Sequence, residues 1–224
     1  RDGWISVAAM NEYPSQAVAA ETKADDLLFL FFTSGTTGLP KIVMHTHLSY
    51  PFGSLTTASW VGFKQGDVHC NISQPGWAKF AWSSFFSPWI AGATIFAYAQ
   101  KGRFVAKDML AQLSKHQITT FCAPPTVLRM LILEDLKSYQ FHFRSCVAAG
   151  EPLNPEIIET WQDATGVLIR DGFGQTESTC MIANLPNDKV KFGPFLRKQK
   201  QETPNGVSCF WYGERDSNPR PTDS

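Results

Sequence analysis

The chain is 224 residues long, 43% hydrophobic and 18% charged, which is enough apolar material for a sizeable core and excludes a disordered chain. Its 20 Lys+Arg balance 20 Asp+Glu, so no net field draws it to nucleic acid or to an anionic membrane surface. No apolar run reaches the roughly 18 residues that a membrane span needs.

In chain order, Leu27-Leu28-Phe29-Leu30-Phe31-Phe32 is an apolar run between Asp25-Asp26 and a Thr/Ser/Gly cluster, the pattern of a strand buried on both faces. The cluster, Thr33-Ser34-Gly35-Thr36-Thr37-Gly38, passes through Leu39-Pro40-Lys41 into Ile42-Val43-Met44, so a loop joining two strands is expected. Val105, Met109, Leu113 and His116 recur at helical spacing, and Ile118 to Ala123 alternates as a strand. Pro125 opens a second helix with Val127, Leu128 and Leu131 on one face, and Phe143 to Ala149 reads as a strand. Asn154-Pro155 starts a third helix carrying Ile157, Ile158, Trp161 and Ala164; Gly166 ends it and Val167-Leu168-Ile169 begins the next strand. Helices and strands that alternate across short connections predict an α/β fold, a doubly wound parallel sheet with helices on both faces.

Beyond about Pro186 the character changes. Lys189 to Lys200 holds five basic residues in twelve positions, and Gly213 to Ser224 is polar without apolar periodicity. The expected division is therefore a folded part, 1–187, and an unrelated, disordered tail, 188–224. Cys70, Cys122, Cys146, Cys180 and Cys209 are odd in number and contain no C-x-x-C pair, against both a disulfide scaffold and a zinc module. A reducing compartment follows, the cytoplasm or alternatively the mitochondrial matrix. Arg1-Asp2-Gly3-Trp4 lacks an initiator Met and a signal peptide, so the chain is expected to be a piece of a longer one.

Ligands of doubly wound sheets lie outside the carboxyl ends of the strands, where Gly150-Glu151-Pro152 and Asp171-Gly172-Phe173-Gly174-Gln175-Thr176-Glu177 fall. A phosphate chain needs close-approaching backbone N–H groups, small hydroxyls and a cation, and Thr33 to Lys41 offers all three. It is not a Walker A loop, because no Gly-Lys-Ser/Thr occurs and Lys41 stands three residues after Gly38. An ordinary turn would need only a Gly or Asn-Gly pair and has no use for four hydroxyls and a lysine.

Thr33 to Lys41 resembles the phosphate loop of the adenylate-forming superfamily, and Asp171 to Glu177 resembles its aromatic-Gly-x-Thr-Glu adenylate motif. Gly76-Trp77-Ala78, Ala149 to Pro155 and Gly172 to Glu177 are most similar to the short- and medium-chain acyl-CoA synthetases, with the match running from about Asp25 to Leu185. The resemblance implies part of the large amino-terminal domain of such an enzyme. Its reaction is attack of a small carboxylic acid on the α-phosphate of ATP, then capture of the acyl-adenylate by coenzyme A. By the same resemblance, Thr33, Ser34, Gly35, Thr36, Thr37, Gly38 and Lys41 hold the β- and γ-phosphates. Gly150, Glu151 and Pro152 line the adenine, Asp171, Gly172 and Phe173 stack and bond around it, and Gly174 and Gln175 complete the nucleotide segment. Thr176 contacts the α-phosphate and Glu177 holds Mg²⁺; with Lys41 these two are the expected catalytic residues.

Trp77 either shortens the acyl pocket or belongs to the core, since Trp82 and Trp89 make the whole segment aromatic. Met44-His45-Thr46-His47 is expected on a strand, which puts His45 and His47 on one face, but no third ligand stands at metal spacing; the resemblance implies that a histidine here borders the acyl or nucleotide pocket, and the alternative is packing in the core. The family's ribose-binding aspartate segment, hinge and mobile carboxyl-terminal domain with its lysine find no match after Pro186. Two further readings stay open: a non-catalytic nucleotide-binding fragment or splice product, and another adenylating enzyme, which explains Ala149 to Pro155 less well.

Overall fold

The computed structural model describes residues 9, 12, 16, 18–34, 39–99 and 102–186. Gly35 to Gly38 of the expected phosphate loop, Cys209 and the expected tail 188–224 lie outside the described residues.

The first two strands, β1 (Leu27–Thr33) and β2 (Lys41–Thr46), pair antiparallel, with Thr33 opposite Lys41 and Phe31 opposite Val43. They form a two-stranded sheet of their own. The expectation that β1 is buried on both faces is corrected here. Phe29 and Phe31 pack inward against Tyr50, whereas Leu30 and Phe32 point outward, opposite Met44 and Ile42. Phe32 is 71% and Met44 70% exposed. A strand in a two-stranded ribbon has one covered face, so an unbroken apolar run does not guarantee two.

A helix, α1 (Ser49–Val61), leads to β3 (Val68–Asn71), and an aromatic helical stretch follows: α2 (Ala78–Ala81), a π-helical turn over Trp82–Phe86 and α3 (Ser87–Ile90). Then come β4 (Thr94–Ile95), α4 (Ala106–Lys115), β5 (Thr120–Ala123), α5 (Pro125–Leu131), a 3₁₀ turn Leu136–Ser138, β6 (Ser145–Ala149), α6 (Pro155–Thr165), β7 (Ile169–Gln175) and β8 (Thr179–Ala183). Six strands form one sheet in the order β4-β3-β5-β6-β7-β8, parallel except for the β7–β8 pair. The expected α/β architecture with helices on both faces is the one observed.

Strand alternation divides the core between the faces. Phe121, Ala123, Cys146, Ala148 and Ile169 meet Leu110, Leu113, Leu128, Leu131, Ile157 and Trp161 from α4, α5 and α6. Their neighbours Cys122, Val147 and Ala149 meet Tyr50, Trp60, Val61, Ala78 and Trp82 on the other side. The α6 boundaries follow the sequence: the Asn154 carboxamide oxygen accepts from the Glu156 N–H at 3.2 Å, and Gly166, at φ +75°, closes on the Gln162 carbonyl at 2.8 Å.

A buried arginine fixes where β7 begins. Arg170 donates to the carbonyls of Trp60 and Val61 and to Ser145 Oγ, so a cation sits on the last carbonyls of α1, where the helix dipole favours it. Beside it Arg144 pairs with Asp67 and donates to the Gly62 carbonyl at 2.9 Å. The expected boundary of this strand is also corrected: β7 does not stop near Arg170 but runs through the glycine-bearing motif to Gln175 and turns back as β8. Asp171 and Gly172 pair with Ala148 and Ala149, and this sheet register outweighs the poor strand propensity of glycine.

Candidate functional site

The carboxyl ends of β6 and β7 lie side by side, with Ala149 opposite Gly172. Directly after β6, Gly150 takes φ +102°, a conformation that favours glycine, and a Cβ there would meet nothing within 4 Å. It therefore borders open space. Glu151 is already engaged: its carboxylate accepts from the Thr126 N–H at 3.2 Å and the Thr126 hydroxyl at 2.5 Å, in the first turn of α5. Pro152 is exposed beside it.

On β7, Asp171 accepts from the Gly172 N–H at 2.9 Å. Burial pushes its carboxyl up to about 6, against the pull of that N–H and of the Lys79 ammonium. Gly172 faces inward, where a Cβ would come within 2.5 Å of the Trp60 ring, and Gly174 lies where one would overlap the Thr179 carbonyl. Both glycines are required by packing within the chain itself. Phe173 points outward, 42% exposed, and Gln175 and Glu177 are exposed as well.

The β7–β8 turn is Thr176-Glu177-Ser178, closed by the Ser178 N–H on the Gln175 carbonyl at 3.3 Å. His45, 4% exposed in β2, places Nε2 2.7 Å from the Thr176 carbonyl. This bond links the phosphate-loop hairpin directly to the adenylate-motif turn. Thr33 and Lys41 face each other across that hairpin; Ser34 and Lys41 are exposed. His47 lies past the end of β2 in a turn, so the two histidines do not share a strand face.

The aromatic segment reaches the same edge. Trp77 precedes α2 and is 70% exposed, which removes it from the core. Two residues on, Lys79 donates through Nζ to the Ala149 carbonyl at 3.0 Å. The edge thus combines one ammonium, one carboxyl pushed up to about 6 by burial, an outward phenyl ring and a glycine-bordered opening.

The AMP-binding enzyme family matches residues 3–206. The chain belongs to that family. Among similar proteins, 4-hydroxybutyrate–CoA ligase 1 of Metallosphaera sedula is 48% identical over 194 residues, 86% of this chain and 34% of that protein. The mitochondrial acyl-coenzyme A synthetase ACSM3 of Mus musculus is 44% identical over 196 residues, again 86% of this chain and 34% of the relative. The chain therefore spans about a third of the length of these relatives. Of solved structures, the anthranilate CoA ligase AuaEII in complex with anthranoyl-AMP superposes with a TM-score of 0.74 at 30% identity, covering 84% of this chain and 37% of that one. The acyl-CoA synthetase of Brucella canis gives 0.71 at 28% identity, covering 84% and 34%. As a member of the AMP-binding enzymes the chain has part of the fold of their large amino-terminal domain.

Two residues at this edge, Lys79 and Tyr50, escaped the reading of the sequence, and His45 was placed at the pocket or in the core without its bond to Thr176. Lys79 had a signal, as the lone charged residue between Gly76 and Trp89. Tyr50 had none: fully buried, it donates to the Ala78 carbonyl at 2.6 Å and packs edge-on against His45, with ring centroids 4.8 Å apart.

Proposed function

We propose that the chain supplies the nucleotide-gripping part of an acyl-CoA synthetase, an acid–thiol ligase. The enzyme joins a short- or medium-chain carboxylate to the α-phosphate of ATP, releasing pyrophosphate, and passes the acyl group to the thiol of coenzyme A, releasing AMP. The observation that carries this reading is the Ala149–Gly172 register, which sets the Gly150 opening and the outward Phe173 ring together at the carboxyl edge of the sheet. The CoA ligases named among the relatives, one of them solved with an acyl-adenylate, support it.

Such chemistry needs positioning and charge stabilisation, with no protein nucleophile. Phe173 offers its face to the adenine while Gly150 and Pro152 leave room for the ring, and the Asp171 segment borders it. Thr33, Ser34 and Lys41, with Gly35, Thr36, Thr37 and Gly38 of the same motif, grip the β- and γ-phosphates, Lys41 supplying the cation. The Thr176 hydroxyl serves the α-phosphate. Trp77 walls the acyl pocket and favours short acids.

Among the described residues no three His, Cys, Asp or Glu side chains converge to cage a metal. Glu177, a lone exposed carboxylate, suits Mg²⁺ that arrives on substrate phosphates, because that ion keeps several waters and needs one or two protein carboxylates. Bound there, the ion would neutralise charge on the phosphate oxygens. The compartments that fit are the cytoplasm and, after the mitochondrial relatives, the mitochondrial matrix.

Lys41→Ala in the full-length enzyme tests the reading. Pyrophosphate exchange should show kcat/KM for ATP reduced about tenfold or more, the loss of roughly 1.4 kcal/mol or greater expected for a positioned cation. A value within about twofold of the parent would overturn the phosphate-loop assignment.

A further inference from the structure

We propose that His45 is a positioning residue that fixes the Thr176-Glu177-Ser178 turn to the phosphate-loop hairpin. The Thr176 carbonyl can only accept, so the ring nitrogen 2.7 Å away, Nε2, carries the proton. In the neutral ring Nδ1 is then an acceptor, and the Ser49 hydroxyl stands 3.4 Å from it as donor. Ser49 is itself held: its Oγ accepts from the Thr46 N–H at 2.9 Å, and its N–H donates to Thr46 Oγ1 at 3.0 Å. The first turn of α1 thus selects the tautomer that His45 presents to the turn. Tyr50 packs edge-on against the imidazole and is tied to Ala78, so the ring cannot swing away without disturbing the aromatic segment.

The next strand is anchored separately. Thr179 Oγ1 donates to the Gly53 carbonyl at 2.6 Å, and Thr56 Oγ1 donates to the Cys180 carbonyl at 2.7 Å. These bonds hold β8 on α1 just past the tip, and the His45 bond holds the tip itself at Thr176. Lys41 stands four residues earlier on the same strand, roughly 13 Å away at strand spacing. A rigid strand with Lys41 at one end and the Thr176 bond near the other sets the distance between the two phosphate-handling motifs. The functional consequence rests on the reading of Thr176 and Glu177 given above; the tie itself does not.

The test has two arms. In the 224-residue chain, His45→Leu removes the donor, His45→Gln returns an N–H near the Nε2 position, and Ser49→Ala, at an exposed site, frees the tautomer without touching the core. Amide exchange is followed at Ser178, with the β5 and β6 amides as internal reference. The expected result is Ser178 exchange about tenfold faster in His45→Leu, clearly faster in Ser49→Ala, and within about threefold of the parent in His45→Gln, with the reference amides unchanged; tenfold corresponds to about 1.4 kcal/mol of local opening. Unchanged Ser178 exchange in both His45→Leu and Ser49→Ala, or no rescue by His45→Gln, overturns the tie. If His45→Leu does not fold, Ser49→Ala and His45→Gln decide it alone.

In the full-length enzyme His45→Leu should lower kcat for pyrophosphate exchange at least fivefold while KM for ATP moves less than twofold, and His45→Gln should restore kcat. Loss of rate in Thr176→Ala without loss in His45→Leu overturns the positioning role. No loss in either variant overturns the motif reading and leaves the tie supported by the exchange data.

Discussion

Asp171 carries the most legible electrostatic consequence of the site. Its carboxyl lies at about 6 in the folded chain against an ordinary 3.8, with burial as the first cause. The folded state therefore holds a proton that the unfolded state has released, and the stability linked to it is complete below about pH 3.8 and lost as the pH rises through about 6. Asp171→Asn keeps an oxygen for the Gly172 N–H and has no charge to bury. It should match the parent at about pH 4 and exceed it by about 1–2 kcal/mol at neutral pH, the full linkage value being reduced because the group is partly solvated. Urea unfolding at both pH values checks this; a stability difference that does not change with pH removes the burial argument. The same substitution should weaken ATP use if the carboxylate serves the nucleotide, so stability and function are expected to move in opposite directions.

Within β3, His69 runs the other way. It is fully buried, with Nδ1 2.9 Å from Thr120 Oγ1 and its ring edge-on to Phe63, and burial pushes the imidazole down to about 4 from 6.5. On acidification the unfolded chain takes the proton first, so stability present above pH 6.5 is lost as the pH falls through about 4. An NMR titration should find the His69 ring neutral at about pH 5 while stability declines; a ring that titrates near its ordinary value would contradict this. The two linkages overlap and oppose, so Asp171→Asn should expose a steeper acid loss than the parent shows. At this scale the sequence was readable where burial follows a period: α4, α5, α6, β5 and β6 each carry an apolar stripe or run. It was unreadable in α1, whose buried face includes Ser54 and Thr57 and whose first two turns contain Pro51 and Gly53, erasing the pattern. It misled in β7, because Gly172 and Gly174 look like loop residues while Trp60 and the Thr179 backbone are what demand them. The motifs of the candidate site were visible as local chemistry. The ties that orient them, His45 to Thr176 and Lys79 to Ala149, join residues 131 and 70 positions apart, and no local pattern encodes such pairs.

For the whole molecule, we propose that the folded part ends at 187. The described chain is anchored up to Pro186: the Asn184 N–H donates to the Asp171 carbonyl at 3.1 Å, and Pro186 packs against Gly62 so closely that a Cβ on the glycine would lie 2.6 Å from its ring. The family match extends to residue 206, which makes the boundary a sharp question. Deleting Lys189 to Ser224 should leave Tm within a few degrees of the parent, since one kcal/mol moves a domain of this size by about 2–4 °C. A larger fall would show that Phe192, Phe195 or Trp211 contributes to the core.

The outward face of the β1–β2 hairpin has a bearing on how the chain behaves in water. Leu30, Met44, Phe32 and Ile42 form two cross-strand apolar pairs on one surface, with no charged side chain among the four. Such a surface works against dispersal, because it offers an extended, water-facing apolar patch that a second molecule can cover. With a formal net charge of zero, long-range repulsion does not keep neighbours apart. The chain on its own is therefore expected to associate through this face as its concentration rises, with the core built around Phe121 and Trp161 unaffected, which sedimentation across a concentration series would check.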